Sequence, residues 1–215
     1  MTARIVPDGP EGRAAAIDVL RRGGIVALPT DTVYGIGVAL EAPRAISRLF
    51  EAKGRPADRA VAILVADLAQ AEALATFDGL ARALALAHWP GGLTLVLPRR
   101  PGVRLPTELT AGGATVGLRV PDHEAPRALA AAVGPLPTTS ANRSGEPPAN
   151  DAAAIAKVLG DALDLILDGG PARGGPASTV VDCTTKRPRV LRVGAVPAAA
   201  IEELLGGSGS VDMGR

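Results

Sequence analysis

Apolar residues along the chain fall into two rhythms. Short continuous runs, Ile25-Val26-Ala27-Leu28, residues 60–66 and Leu93-Thr94-Leu95-Val96-Leu97, are bounded by glycine, proline or charge and predict buried strands. Between them, apolar positions recur at helical spacing. Ala14, Ile17 and Leu20 predict a helix over residues 13–22, stopped by Gly23-Gly24. Ile46, Leu49 and Phe50 predict another that starts at Pro43 and ends near Lys53, since Pro56 forbids its continuation. Asp67 and Asp151 stand where N-caps belong, ahead of alanine-rich helices reaching about 76 and 159. Further helices are predicted over 80–88, 126–133 and 197–205. Further strands are predicted over 116–120, 136–139, 163–167, 179–182 and 190–193. Residues 99–113 have prolines, charges and glycines without period and read as a loop.

No internal repeat and no shift in composition divides the chain, so residues 1–205 read as one domain and 206–215 as a flexible tail. Strands alternating with helices predict an α/β sheet covered on both faces. The opening run ends in Pro29-Thr30-Asp31-Thr32-Val33-Tyr34-Gly35-Ile36-Gly37, the pattern of a strand that turns polar groups toward a cleft. Gly35-x-Gly37 alone lacks the third glycine of a dinucleotide fingerprint.

Composition narrows the chemistry. With 47% hydrophobic and 2% aromatic residues, the core is aliphatic and aromatic stacking on nucleic acid is disfavoured. A net charge of +1 gives no global case for a nucleic-acid binder. One cysteine, Cys183, excludes an internal disulfide and a cysteine-rich zinc site, and two histidines exclude a histidine-rich metal centre. No apolar run approaches a membrane span and the N-terminus shows no signal pattern, so the chain reads as soluble and cytoplasmic.

Several groups could carry chemistry. Lys53 and Arg55, pinned by Gly54 and Pro56, either converge on a polyphosphate or merely complement a helix C-terminus. Ser140 and Asn142 follow a strand and either face one ligand together or open a turn. Ser178 and Thr179 precede a strand after a glycine-proline turn. Arg192, between Leu191 and Val193, and Arg119, between Leu118 and Val120, are cations in apolar strands that must face solvent, an acid or a ligand. Asp31 and Asp182 have no acidic partner at readable spacing; a cap or turn role fits each, and no general base is assigned. No Ser/His/Asp or Cys/His constellation is present.

These segments in order, Pro29 to Gly37, Lys53-Gly54-Arg55-Pro56, Ser140-Ala141-Asn142, Ser178 to Asp182 and Leu191 to Gly194, resemble the YrdC-like family, the threonylcarbamoyl-AMP synthases. The resemblance implies a single α/β domain with a twisted, mixed parallel and antiparallel sheet enclosing a wide, positively charged cavity, related to the dihydroxybutanone-phosphate synthase fold. It implies a nucleotidyltransferase making threonylcarbamoyl-AMP and pyrophosphate from L-threonine, bicarbonate or CO2, and ATP carrying Mg2+, with no protein metal ligand. It places Lys53, Arg55, Arg59, Asn142, Asn150 and Arg192 on ATP, Lys53 and Arg55 as catalytic, and Thr32, Arg119, Ser140 and Ser178 on threonine. A separate transferase would then modify tRNA, with at most a weak contact between tRNA and this chain.

The chain departs from the family pattern after Pro56. Asp58-Arg59-Ala60-Val61-Ala62-Ile63-Leu64 stands where many members have an Asn-Pro-Leu-Ile-Val-His run, so the asparagine and histidine ligands are missing and Arg59 is the candidate to substitute for them on the phosphates. The resemblance is to the short form of the family, so the extra C-terminal domain of longer synthases is not expected after Leu205. Two rival readings remain: an RNA-binding module without catalysis, and a carbamoyl-transfer domain of the hydrogenase-maturation type, which elsewhere accompanies cysteine-rich fingers.

Overall fold

The computed structural model describes residues 3–54, 56, 59–172 and 175–205. The chain opens with strand β1 (Arg4–Pro7), helix α1 (Pro10–Arg21), strands β2 (Val26–Leu28) and β3 (Gly35–Gly37), and helix α2 (Pro43–Lys53). It continues through β4 (Ala62–Leu64), α3 (Leu68–Leu74), α4 (Gly79–His88), β5 (Leu93–Pro98), the short α5 (Thr107–Thr110) and β6 (Thr115–Arg119). Then come α6 (Glu124–Val133), β7 (Leu136–Ser140), α7 (Ala152–Leu159), β8 (Leu165–Asp168), β9 (Thr179–Asp182), β10 (Arg189–Arg192) and α8 (Ala198–Leu204).

All ten strands join one mixed sheet in the order β1-β8-β2-β3-β7-β4-β6-β5-β9-β10. The mixed α/β sheet expected from the sequence is therefore present. Helix starts follow local chemistry: the carboxylates of Asp67, Asp78 and Asp151 accept from the backbone N–H groups of Gln70, Ala81 and Ala154 at 2.7–2.8 Å. Helix α2 ends at Lys53 because Gly54 takes a left-handed φ of 61°, open to glycine without strain.

Two expectations are corrected and one strand is added. Residues 99–113 contain α5. Gly35–Gly37 is a strand, not only a turn: it pairs antiparallel with β2 and β7, and its glycines make room for Thr138, whose side chain would meet a Cβ at 2.6 Å from Gly35 and 2.8 Å from Gly37. The N-terminal strand β1 carries no sequence rhythm of its own and forms by parallel pairing with β8.

Alternation along the strands sorts side chains onto two faces. On one, Val26, Leu28, Leu165 and Leu167 meet α1 and α6 through Leu20, Ala125 and Leu129. On the other, Ala27, Ile63, Leu93, Leu95, Leu118, Ile166 and Val181 pack in a larger core with Ile46 and Leu49 of α2, Leu84 of α4 and Ile155 of α7. Helices α1 and α6 cover the first face over β1, β8 and β2 and reach Leu136 of β7 and Leu64 at the end of β4. Over β6, β5, β9 and the start of β4 that face stays open, and the site lies there.

Cys183 is buried in the larger core, where burial and the nearby Asp78 and Asp182 push its thiol up to about 12. The thiolate is the reactive form. We expect iodoacetamide at pH 8 to leave the folded protein unmodified and to alkylate Cys183 only in denaturant; mass spectrometry reads the outcome, and rapid labelling of the native chain would contradict this packing. No described helix is long and apolar enough to cross a membrane.

Candidate active site

The open half of the sheet forms the floor of a cavity of about 370 Å³, within the range of small-molecule sites. Its floor comes from alternate residues: Ala62 and Leu64 of β4, Thr115, Gly117 and Arg119 of β6, Thr94 and Val96 of β5, Thr138 and Ser140 of β7, and Val180 of β9. Thr30, Thr32 and Tyr34 wall it from the segment linking β2 and β3, and Ser178 and Arg192 from the β9–β10 side. Two arginines and no carboxylate are among these described lining residues.

Arg119 laces three segments together. Its Nη2 donates to Asp31 at 2.7 Å, its Nη1 to the Thr32 hydroxyl at 2.9 Å and its Nε to the carbonyl of Gly91 at 2.9 Å. Burial pulls this guanidinium below its ordinary value, and Asp31 pulls it back up. Asp31 is thus an ion-pair partner rather than the cap or turn former that its position suggested; a pairing across 88 positions leaves no local signal.

The hydroxyls are polarised by their partners. Thr30 accepts from the backbone N–H of Thr32 and spends its own proton on the carbonyl of Val33, 2.7 Å away. In the 3.2 Å contact between Thr30 and Thr32, Thr32 is therefore the donor. Thr32 then has its proton committed, receives Arg119, and turns a lone pair to any ligand. Ser140 is alike: its hydroxyl donates to Asn142 Oδ1 at 2.6 Å and accepts from Lys53 Nζ at 3.0 Å.

Lys53, Ser140 and Asn142 form one hydrogen-bonded cluster at the end of α2 and β7, with Lys53 and Asn142 buried and Ser140 half-buried. The ammonium also donates to the Ser140 carbonyl at 2.6 Å and to Asn142 Oδ1. The Asn142 amide donates to the carbonyls of Arg143, at 2.8 Å, and Glu146, and the Lys53 carbonyl accepts from the N–H of Ser144. The loop between β7 and α7 is thereby tied to α2, with Lys53 and Asn142 directly behind Ser140.

Arg192 reaches the cavity through a bulge. Val190 pairs with Val181 and faces the larger core, so simple alternation would bury Arg192 beside it. The register slips between Val190 and Arg192, which pairs with Val180 on the cavity face instead. Leu191 and Val193 are exposed, so the apolar neighbours seen in the sequence do not enclose it. Its Nε and Nη2 donate to the Ser178 carbonyl at 3.0 and 2.8 Å, and Nη2 also to the Ser178 hydroxyl at 3.1 Å. Partial desolvation, and then the positive charge of Arg119, lower its pKa, and an anion beside Arg192 would oppose both effects.

The structure thus brings Thr32, Arg119, Ser140, Ser178 and Arg192 to one cavity with Lys53 and Asn142 behind it. Arg55 lies outside the described residues. Arg59, on the segment entering β4, and Asn150, before α7, are exposed, and neither is among the described lining residues. Sequence reasoning passed over Thr30, Thr94, Thr115 and Thr138. A polar residue on every second position of an apolar strand, as in Leu93-Thr94-Leu95, was the available signal.

The cavity is a sheet-floored cleft in which each of two guanidiniums is bonded to a neighbouring hydroxyl, Arg119 to Thr32 and Arg192 to Ser178, an arrangement that offers donors and acceptors to a small polar or anionic ligand. The chain belongs to the Sua5/YciO/YrdC family: that family model, described as "Telomere recombination", matches residues 18–194. It is 42% identical over 196 residues to a protein of Mycobacterium leprae, covering 91% of this chain and 88% of that one. It is 42% identical to the threonylcarbamoyl-AMP synthase of Pyrococcus abyssi and 40% to that of Bacillus subtilis, covering 89% and 90% of this chain but only 56% of each of those. Among solved structures, P. abyssi Sua5 complexed with L-threonine aligns over the whole chain and 66% of its own length with TM-score 0.88 and 37% identity. E. coli YciO aligns over 91% of this chain and 97% of its own with TM-score 0.79 and 28% identity. A HypF structure at 20% identity and TM-score 0.76 shares the fold alone.

Proposed function

We propose that this chain is a threonylcarbamoyl-AMP synthase, joining L-threonine, bicarbonate or CO2 and ATP with release of pyrophosphate, in the cytoplasm and toward threonylcarbamoyladenosine in tRNA. The observation that carries the reading is the convergence of Thr32, Arg119, Ser140, Ser178 and Arg192 on one cavity in a chain about 40% identical to named synthases.

In this reading the threonine amine attacks CO2 and loses a proton to give a carbamate. A carbamate oxygen then attacks the α-phosphorus of ATP, and the bond to the β-phosphate breaks as pyrophosphate leaves. Such chemistry calls for reactants held in line and for neutralised charge, not for a protein nucleophile. Thr32, Arg119, Ser140 and Ser178 hold threonine, with the committed protons of Thr32 and Ser140 favouring an N–H or O–H donor of the ligand. Lys53, Arg55, Arg59, Asn142, Asn150 and Arg192 serve ATP, and Lys53 and Arg55 meet the developing charge.

Among the described residues no group of three or more His, Cys, Asp or Glu side chains could hold a metal. The donors around the cavity are hydroxyls, an amide and cations, so Mg2+ would travel on the triphosphate as part of the substrate. The product would pass to a separate tRNA-modifying transferase, with at most a weak contact between this chain and tRNA.

The test is pyrophosphate release with threonine, bicarbonate and ATP, each omitted in turn. We expect release only with all three. RNA binding with a steep salt dependence, and no threonine-dependent release, would replace this reading with the RNA-binding one.

A further inference from the structure

We propose that Thr94 is a positioning residue for this site, acting through Ser178. This rests on the synthase reading above and adds a residue to it. Thr94 lies on β5 between Leu93 and Leu95, which are buried in the core, and its own side chain faces the cavity floor with 4% of its surface exposed. A threonine so enclosed needs a partner for its hydroxyl, and the partner is the Ser178 hydroxyl at 2.8 Å, across the parallel pair of β5 and β9.

Ser178 is otherwise held by Arg192, which donates to its hydroxyl and carbonyl. In the synthase reading that guanidinium also answers to the nucleotide. When an anion draws Arg192 toward itself, the hydroxyl of Ser178 loses its cationic donor. Thr94 remains, and its hydrogen bond keeps the serine side chain in the rotamer that faces the amino acid. The two contacts on Ser178 therefore divide the work: Arg192 couples it to the anion, and Thr94 keeps it in place independently of the anion.

The experiment compares Thr94→Val, which keeps shape and removes the hydroxyl, with Thr94→Ser, which keeps the hydroxyl, in threonine-dependent pyrophosphate release. We expect Thr94→Val to raise the KM for threonine about five-fold, the scale of one neutral hydrogen bond, with the KM for ATP changed far less. Thr94→Ser should restore the threonine KM. If Thr94→Val does not fold, Thr94→Ala, which empties space toward the open cleft rather than the core, takes its place in the same comparison. A parent enzyme that needs threonine, with Thr94→Val indistinguishable from it or Thr94→Ser equally impaired, overturns the proposal alone. A parent that releases pyrophosphate with no need for threonine sinks the synthase reading and the proposal together.

Discussion

Arg119→Ala is expected to destabilise the protein by about 3–5 kcal/mol and to abolish threonine use, because it strands a buried carboxylate. The side chains of Asp31 and Arg119 are only 10% and 7% exposed, and the 2.7 Å bond between them is the one ion pair of Asp31 among the described residues. The same substitution frees Thr32 from its charged donor and the Gly91 carbonyl from Nε, so the wall and floor of the cavity lose their common tie. Urea unfolding reads the first effect and pyrophosphate release the second. The double variant Asp31→Leu with Arg119→Leu separates them: without a stranded charge it should regain much of the stability but none of the threonine use. An Arg119→Ala protein as stable as its parent would remove the ion pair from this account.

Lys53→Met should cost about 2–4 kcal/mol and raise the ATP requirement at least ten-fold, since a charged donor leaves a buried cluster of acceptors. The ammonium donates to both oxygens of Ser140 and to Asn142 Oδ1. Without it the Asn142 carbonyl keeps, among the described residues, the Ser140 hydroxyl, and the backbone bond from Ser144 to the Lys53 carbonyl is left as a tie between this loop and α2. Lys53→Arg should not rescue the variant, because a planar fork does not fit the place of a compact ammonium. Stability measured by urea and steady-state kinetics against ATP report the two parts; an unchanged ATP requirement would confine Lys53 to holding the loop.

What was legible in the sequence was local. Asp67 and Asp151 announced their helices through a side chain that bonds three residues ahead, and Pro56 announced the end of α2, which the structure closes two residues earlier through the left-handed Gly54. The motifs holding Thr32, Ser140, Ser178 and Arg192 were legible as separate segments by family resemblance. Their mutual contacts were not. Asp31 finds Arg119 across 88 positions, and the bulge that turns Arg192 from core to cavity depends on its pairing with β9. The strand at Gly35–Gly37 was hidden for a related reason: two glycines argue against a strand until Thr138 of the neighbouring strand is seen to need their space.

The half-open sheet separates two demands that usually compete. Along β5, Leu93, Leu95 and Leu97 anchor the domain while Thr94 and Val96 meet whatever enters the cleft, and β6 divides its residues in the same way. Apart from Arg119, whose ion pair ties it to the fold, evolution can therefore retune ligand preference on the cavity-facing positions of these strands without touching the packing beneath, so a single strand carries two scripts that can be edited independently.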